Sequence, residues 1–298
     1  MSELSKRIIT AVIFLPVLVC LATIGRIYYV ILVEIGIILG TYEFFKILEA
    51  RGLQPYKKLG ILAGVLLGLV CYYKSYIFTM FVLTCLILVL SVSELTRKKV
   101  EHAIYHMSGT VFGMLYVSWL FSHLILLREI PKFLHYRFDY DMGISFSLLP
   151  FLIAWINDTF AYFGGRRYGR NPLFPRVSPK KTWEGAITGA LSVLITLFLI
   201  KWISGCGSGQ ELSLKFLTSF YHLFRYYLTW YDCVILGIFG PLLAVVGDLV
   251  ESLLKRDASL KDASKIIPGH GGILDRFDSI LFVAPFVYYY LRFVVLQR

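Results

Sequence analysis

Asp275 and Asp278 stand three residues apart in the run Pro268-Gly269-His270-Gly271-Gly272-Ile273-Leu274-Asp275-Arg276-Phe277-Asp278. A helix begun there would put both on one face. Asp248 sits within VVGDLVES, and with Glu251, Ser252 and Lys255 it falls at i, i+3, i+4 and i+7, a single helical stripe. That stripe runs into Lys255-Arg256 and on to Lys261-Asp262. Asp158 lies apart from these, in AWINDTFAYFGG. Carboxylates converging from different helices make a hard-oxygen site suited to Mg2+. Gly271 and Gly272 would let backbone N–H groups approach an anion closely. The surrounding Lys and Arg would neutralise phosphates. His270, inside the glycine turn, reads as a phosphate contact, because its oxygen-rich neighbours favour a hard cation over an imidazole-bound metal.

A further basic loop holds Gly164-Gly165-Arg166-Arg167-Tyr168-Gly169 and then Ser178-Pro179-Lys180-Lys181-Thr182-Trp183-Glu184-Gly185. Two readings of it stand open. The Ser-Pro start and Glu184 could cap the next helix, or Lys180 and Lys181 could reach a phosphate with Glu184 supporting them. There is no HExxH, GxSxG, P-loop or strand-borne GxGxxG, so hydrolytic triads and Rossmann chemistry are not indicated. His102 and His106 are four residues apart, but only Glu101 accompanies them, too thin a set for a metal. Glu43 stands beside Lys46 near the end of an apolar run and reads as paired or solvated, whereas Glu34 lies deeper with no visible partner.

The elements that must position these groups are membrane helices. Of the 298 residues, 57% are apolar and 16% charged, which excludes a disordered chain, a disulfide scaffold and an ordinary soluble enzyme. Nine windows are long enough to cross the bilayer: 8–25, 27–45, 59–73, 76–93, 103–127, 144–165, 185–203, 232–250 and 279–296. The first could be read as a signal peptide, but no small-residue cleavage site follows it, so it counts as a span. The expected fold is all-α, a polytopic bundle of about nine transmembrane helices forming a single membrane domain over 1–298. With the N-terminus inside, 20 of the 30 Lys and Arg fall on the cytoplasmic side, as the positive-inside rule requires. The net charge of +11 therefore marks topology and anionic substrates, not nucleic acid. The segment 211–231 is aromatic and amphipathic and should lie flat at the outer interface. Five cysteines without a CxxC read as free thiols. Acids within spans are costly and are functional candidates by default, and Asp158 and Asp248 each lead within a turn or two into a basic, glycine-rich loop.

The stretch 252–278 resembles the signature of the phosphatidate cytidylyltransferases, or CDP-diacylglycerol synthases. Ser252, Lys255, Arg256, Lys261, Asp262, Pro268, His270, Gly271, Gly272, Asp275, Arg276 and Asp278 occupy every fixed position of it. Asn157 to Tyr162 with Gly164 and Gly169, and Ser178 to Gly185, are also similar to that family, so the likeness covers the C-terminal half, about 150–298. Ser259-Leu260 departs from it, many members having Gly-Ile there. The resemblance implies that CTP and phosphatidic acid give CDP-diacylglycerol and pyrophosphate with Mg2+, in phospholipid synthesis at a bacterial inner membrane. It implies Asp248 and Asp275 as metal ligands, Asp278 as a third acid, and Asp158 as a further metal or structural acid. Lys255, Arg256, Lys261 and Arg276 would face nucleotide or pyrophosphate, and Lys180 and Lys181 either substrate. Ser252, His270, Gly271 and Gly272 complete the expected binding set. The active site would face the cytoplasm, and a homodimer is a family expectation. A CTP-dependent lipid kinase and a polytopic transporter are the alternatives. The transporter is disfavoured because the acids gather at one face and no inverted repeat is visible.

Overall fold

A computed structural model describes residues 3–98, 101–134, 139–206, 214–260, 264 and 271–298, with side chains from residue 12 onward. The helices are α1 (Glu3–Ile24), α2 (Arg26–Ala50), α3 (Lys57–Tyr73), α4 (Tyr76–Leu95), α5 (Ala103–Gly113), α6 (Leu120–Phe133), α7 (Met142–Tyr168), α8 (Trp183–Cys206), α9 (Lys215–His222), α10 (Trp230–Asp257) and α11 (Leu274–Phe293). A π-helical turn at Met114–Trp119 joins α5 to α6. Each of the nine apolar windows is helical. Among the described residues, six helical stretches are long and apolar enough to cross a membrane: α4, the continuous α5–α6, α7, α8, α10 and the stretch Leu274–Gln297 that begins with α11. The helix α1 runs over 22 residues and α2 over 25, and α3, with 17, lies at the lower limit for a crossing. The all-α reading needs one addition, a small antiparallel hairpin of β1 (Pro172–Phe174) and β2 (Ser178–Thr182) in the basic loop before α8. The segment after α8 forms the eight-residue α9 and a π turn at Leu223–Tyr227. At about 1.5 Å per residue that is too short to cross about 30 Å of hydrocarbon.

The chain divides into two compact units. One comprises Met1–Leu21, Arg26–Leu126 and Leu253–Phe277; the other comprises Ala22–Gly25, Leu127–Ser252 and Asp278–Arg298. In the first, α3 packs closely through glycines spaced four apart: a Cβ on Gly60 would meet Phe45, on Gly64 Ser118, and on Gly68 Glu34. Ala63, Leu67, Val82, Leu86, Leu90 and Met114 form an apolar cluster there. Lys74, in a left-handed conformation, closes α3, and Ser75 caps α4 by accepting the Phe78 N–H. In the second unit α7 lies along α8. The buried carboxylate of Asp232, in the first turn of α10, accepts hydrogen bonds from Thr229, Tyr290 and Arg298, tying that end of α10 to the chain beyond α11.

Candidate functional site

In the second unit the site is built by close helix contacts. A Cβ on Gly185 would lie 2.8 Å from the Ala161 carbonyl oxygen and 3.2 Å from Gly165 Cα, so glycine there lets α8 lie against α7. Between the two helices, Glu184 folds the loop back. It accepts the backbone N–H of Arg170 at 3.1 Å and of Asn171 at 3.3 Å, and the Asn171 side-chain amide at 2.8 Å. Thr182 caps α8 by accepting the Gly185 N–H at 3.2 Å. The cap at the helix start is thus Thr182, and Glu184 holds the Arg170-Asn171 segment ahead of β1. Strand β2 then separates its lysines, because successive side chains point to opposite faces. Lys180 is exposed, whereas Lys181 turns inward and forms an ion pair with Asp248.

The contact of α10 with α11 is set by Gly247, where a Cβ would lie 2.5 Å from the Asp278 carbonyl oxygen and 2.9 Å from the Phe282 ring. This juxtaposition brings Asp248 and Asp278 together. Asp158, on α7, repels both electrostatically, and Lys181 attracts Asp158 and Asp278 as well as Asp248. Ser252 donates its hydroxyl to Asp248 at 3.4 Å, Asn157 donates its amide to Asp158 at 3.2 Å, and Asp278 accepts the Ser279 N–H at 2.6 Å. Asp158 is exposed, and Asp248 and Asp278 are partly so, leaving the group reachable.

Three carboxylates share one ammonium, a formal surplus of two negative charges. That donor set fits a hard divalent cation. Among the described residues no three acidic, His or Cys side chains form a ready metal cage. A cation held there would take one or two of these carboxylates and complete its shell with water and substrate phosphates.

The first unit holds the rest of the signature. The Lys255 ammonium donates to Asp275 Oδ1 at 2.6 Å, and the Gly272 N–H donates to Asp275 Oδ2 at 2.8 Å. Gly271 has φ +81°, a left-handed conformation that glycine adopts freely. The amides of Ile273 and Leu274 donate to Glu43 at 3.0 and 2.8 Å, and the Ser264 hydroxyl donates to the same carboxylate. The amides of Gly272, Ile273 and Leu274, which an anion cradle would use, are thus held by Asp275 and Glu43. Arg256 and Arg276 are exposed. The helix α10 ends in a Schellman motif: the Ser259 N–H donates to Arg256 and the Leu260 N–H to Lys255. Ser259 sits at φ +57°.

Of the residues expected from sequence, Lys181, Asp158, Asp248, Ser252 and Asp278 are gathered in one unit, and Lys255, Gly271, Gly272, Asp275, Arg256 and Arg276 belong to the other. Lys261, Asp262, Pro268 and His270 lie outside the described residues. Glu34 is buried against Gly68, with no hydrogen-bond partner among the described residues. Asn157, Gly247 and Glu43 took on positions that spacing arguments did not assign. For Glu43 a signal existed. Gly36, Gly40 and Glu43 recur at i, i+4 and i+7, and both glycines abut α5–α6 side chains, so this acid lies on the inward face of α2.

The chain matches the family model described as "Cytidylyltransferase family" over residues 5–294. A phosphatidate cytidylyltransferase of Thermotoga maritima is 31% identical over 291 residues, covering 97% of this chain and 96% of that protein. One of Bacillus subtilis is 28% identical over 299 residues, covering 98% of each. Phosphatidate cytidylyltransferase 4, chloroplastic, of Arabidopsis thaliana is 30% identical over 313 residues, covering 98% of this chain and 74% of its own length.

Proposed function

Because the chain belongs to the cytidylyltransferase family, we infer that it transfers the cytidylyl group of CTP to phosphatidic acid, releasing pyrophosphate and forming CDP-diacylglycerol for phospholipid synthesis. A phosphate oxygen of phosphatidate forms a bond to the α-phosphorus of CTP. The bond from that phosphorus to the β-phosphate bridging oxygen breaks, and pyrophosphate leaves. The attacking monoester has a second pKa near about 6 and is largely dianionic at neutral pH. It needs little base catalysis. The barrier lies in bringing two anions together, so catalysis consists of positioning and charge neutralisation.

The observation that carries this reading is the group Asp158, Asp248, Asp278 and Lys181. One or two of these carboxylates would hold Mg2+, with the remaining charge close by. The cation, when bound, supplies charge neutralisation at the transferring phosphate. Lys181 leaves Asp248 as phosphate arrives and turns its ammonium to the incoming anion. Ser252 steadies Asp248, and Asn157 steadies Asp158. Lys255, Arg256 and Arg276, with Lys261 and His270, supply the nucleotide and pyrophosphate contacts, while Lys180 extends the positive surface for either substrate. Acyl chains remain in the bilayer, so the site works at the membrane face. That face is the cytoplasmic one of the bacterial inner membrane, with the N-terminus inside and nine spans. The chain acts as a homodimer, which crosslinking in membranes would detect.

The test is purified protein with phosphatidate, Mg2+ and CTP labelled in one assay at the α-phosphate and in another at the γ-phosphate. Label moving into the lipid fraction as CDP-diacylglycerol supports the transferase. Transfer of γ-label alone identifies a lipid kinase, and label absent from lipid in both cases overturns the reading.

A further inference from the structure

We propose that Glu43 is a positioning residue for the transfer reaction: its carboxylate clamps the amino end of α11 and so fixes the glycine turn and the first turn of that helix, which carries Asp275 and Arg276. The proposal rests on the reading that these signature residues serve cytidylyl transfer.

Glu43 is fully buried in α2 and lies 221 residues before Ser264 and 230 before Ile273. Its two carboxylate oxygens divide the work. Oε1 accepts the Ile273 N–H and the Ser264 hydroxyl, and Oε2 accepts the Leu274 N–H. The first N–H groups of a helix have no partner inside the helix, and a carboxylate there both satisfies them and complements the helix dipole. Here that carboxylate comes from a distant helix, so it ties the signature segment to α2 at a fixed place. The fit is close. A Cβ on Gly272 would lie 2.5 Å from Glu43 Oε2, so glycine at this position is required for the clamp to close. Asp275 reinforces the same turn by accepting the Gly272 N–H while Lys255 holds its other oxygen. The glycine turn is therefore fixed by two carboxylates. Glu43 is fully buried beneath the turn and acts through the placement of Gly272, Asp275 and Arg276.

The test is Glu43→Gln in the full-length protein. An amide keeps one acceptor oxygen but loses the charge and places an NH2 donor against a backbone N–H or the Ser264 hydroxyl. Loss of such a supporting group lowers activity by about 10- to 100-fold. The expected result is a fall in kcat of that size, with a melting temperature within a few degrees of the parent. Hydrogen exchange at the amides of Gly272, Ile273 and Leu274 should accelerate at least tenfold while α4 amides keep their protection. Glu43→Asp, which retains the charge, should recover part of kcat. Unchanged kcat, or unchanged protection of those three amides, overturns the proposal. Should Glu43→Gln fail to fold, Ser264→Ala removes one partner of the carboxylate. It should lower kcat about 2- to 5-fold with faster exchange at the Ile273 and Leu274 amides, and parental values in both readouts overturn the proposal. Failure of the parent to make CDP-diacylglycerol overturns the functional reading instead, and the exchange experiment still decides whether the clamp exists.

Discussion

Replacing Asp278 by Asn separates charge from shape at the carboxylate group. Asp278 Oδ1 accepts the Ser279 N–H at 2.6 Å, a bond that the Asn carbonyl oxygen can keep. What disappears is a carboxylate beside Asp158 and Asp248 that can carry negative charge when a cation is bound. Two unit charges about 5 Å apart interact by about 3 kcal/mol at an effective dielectric of about 20, and by less than about 1 kcal/mol in water. Asp278 is partly exposed, so the cation should lose about 1–3 kcal/mol of attraction, or about 5- to 150-fold in affinity. The same change relieves repulsion in the metal-free protein, so the two effects have opposite signs. In the assay with α-labelled CTP, the Mg2+ concentration for half-maximal rate should rise by about 5- to 150-fold, with the rate at saturating Mg2+ falling much less. In EDTA the variant should melt at or slightly above the parent temperature. An unchanged Mg2+ requirement together with a lower melting temperature in EDTA would refute the reasoning and make Asp278 a structural acid.

Three further outcomes follow from the same geometry. Lys181→Met should raise the KM for an anionic substrate by about 10- to 100-fold, whereas Lys180→Met, on the opposite face of β2, should change it less than about threefold; steady-state kinetics with each substrate varied distinguishes them. Gly247→Ala places a Cβ 2.5 Å from the Asp278 carbonyl oxygen, so α10 and α11 must separate. It should cost about 1–3 kcal/mol of stability, read by thermal melting in detergent, and lower activity through the displaced acids. Ser259→Gly should do the reverse. Ser259 holds φ +57° at the C-terminal cap of α10, and glycine there should stabilise by about 0.5–1 kcal/mol, seen as a higher melting temperature with kcat unchanged.

Much of the scaffold was legible because membrane helices announce themselves. Every apolar window from 8–25 to 279–296 is helical, since a chain in hydrocarbon must satisfy its backbone internally. The aspartates were legible for a related reason: an acid kept within or beside a span needs a partner or a task. What spacing could not reveal was which acid meets which. Asp275 and Asp278 share a helix and one periodic face, yet Asp275 is engaged by Lys255 and Gly272 while Asp278 stands with Asp158 and Asp248. Lys180 and Lys181 look equivalent until the loop becomes a strand and splits them. Glu43 read as a peripheral acid because its partners lie more than two hundred residues away.

The two sets of carboxylates answer different physical demands, and this explains why the chain carries so many acids in a segment meant to receive anions. Glu43 and Asp275 spend their charge on backbone N–H groups and on Lys255, within hydrogen-bond distance, so little field remains to repel a phosphate. Asp158, Asp248 and Asp278 are under-neutralised by comparison, with Lys181 as their shared ammonium. A surplus of negative charge is unfavourable for two anionic substrates unless a cation arrives first or with them. The imbalance therefore implies an order: rates should depend on free Mg2+ and not only on the Mg–CTP complex. Holding Mg–CTP constant while free Mg2+ is varied tests this. A rate that follows Mg–CTP alone, with no response to free Mg2+, would mean that the carboxylates meet the cation only as part of the nucleotide.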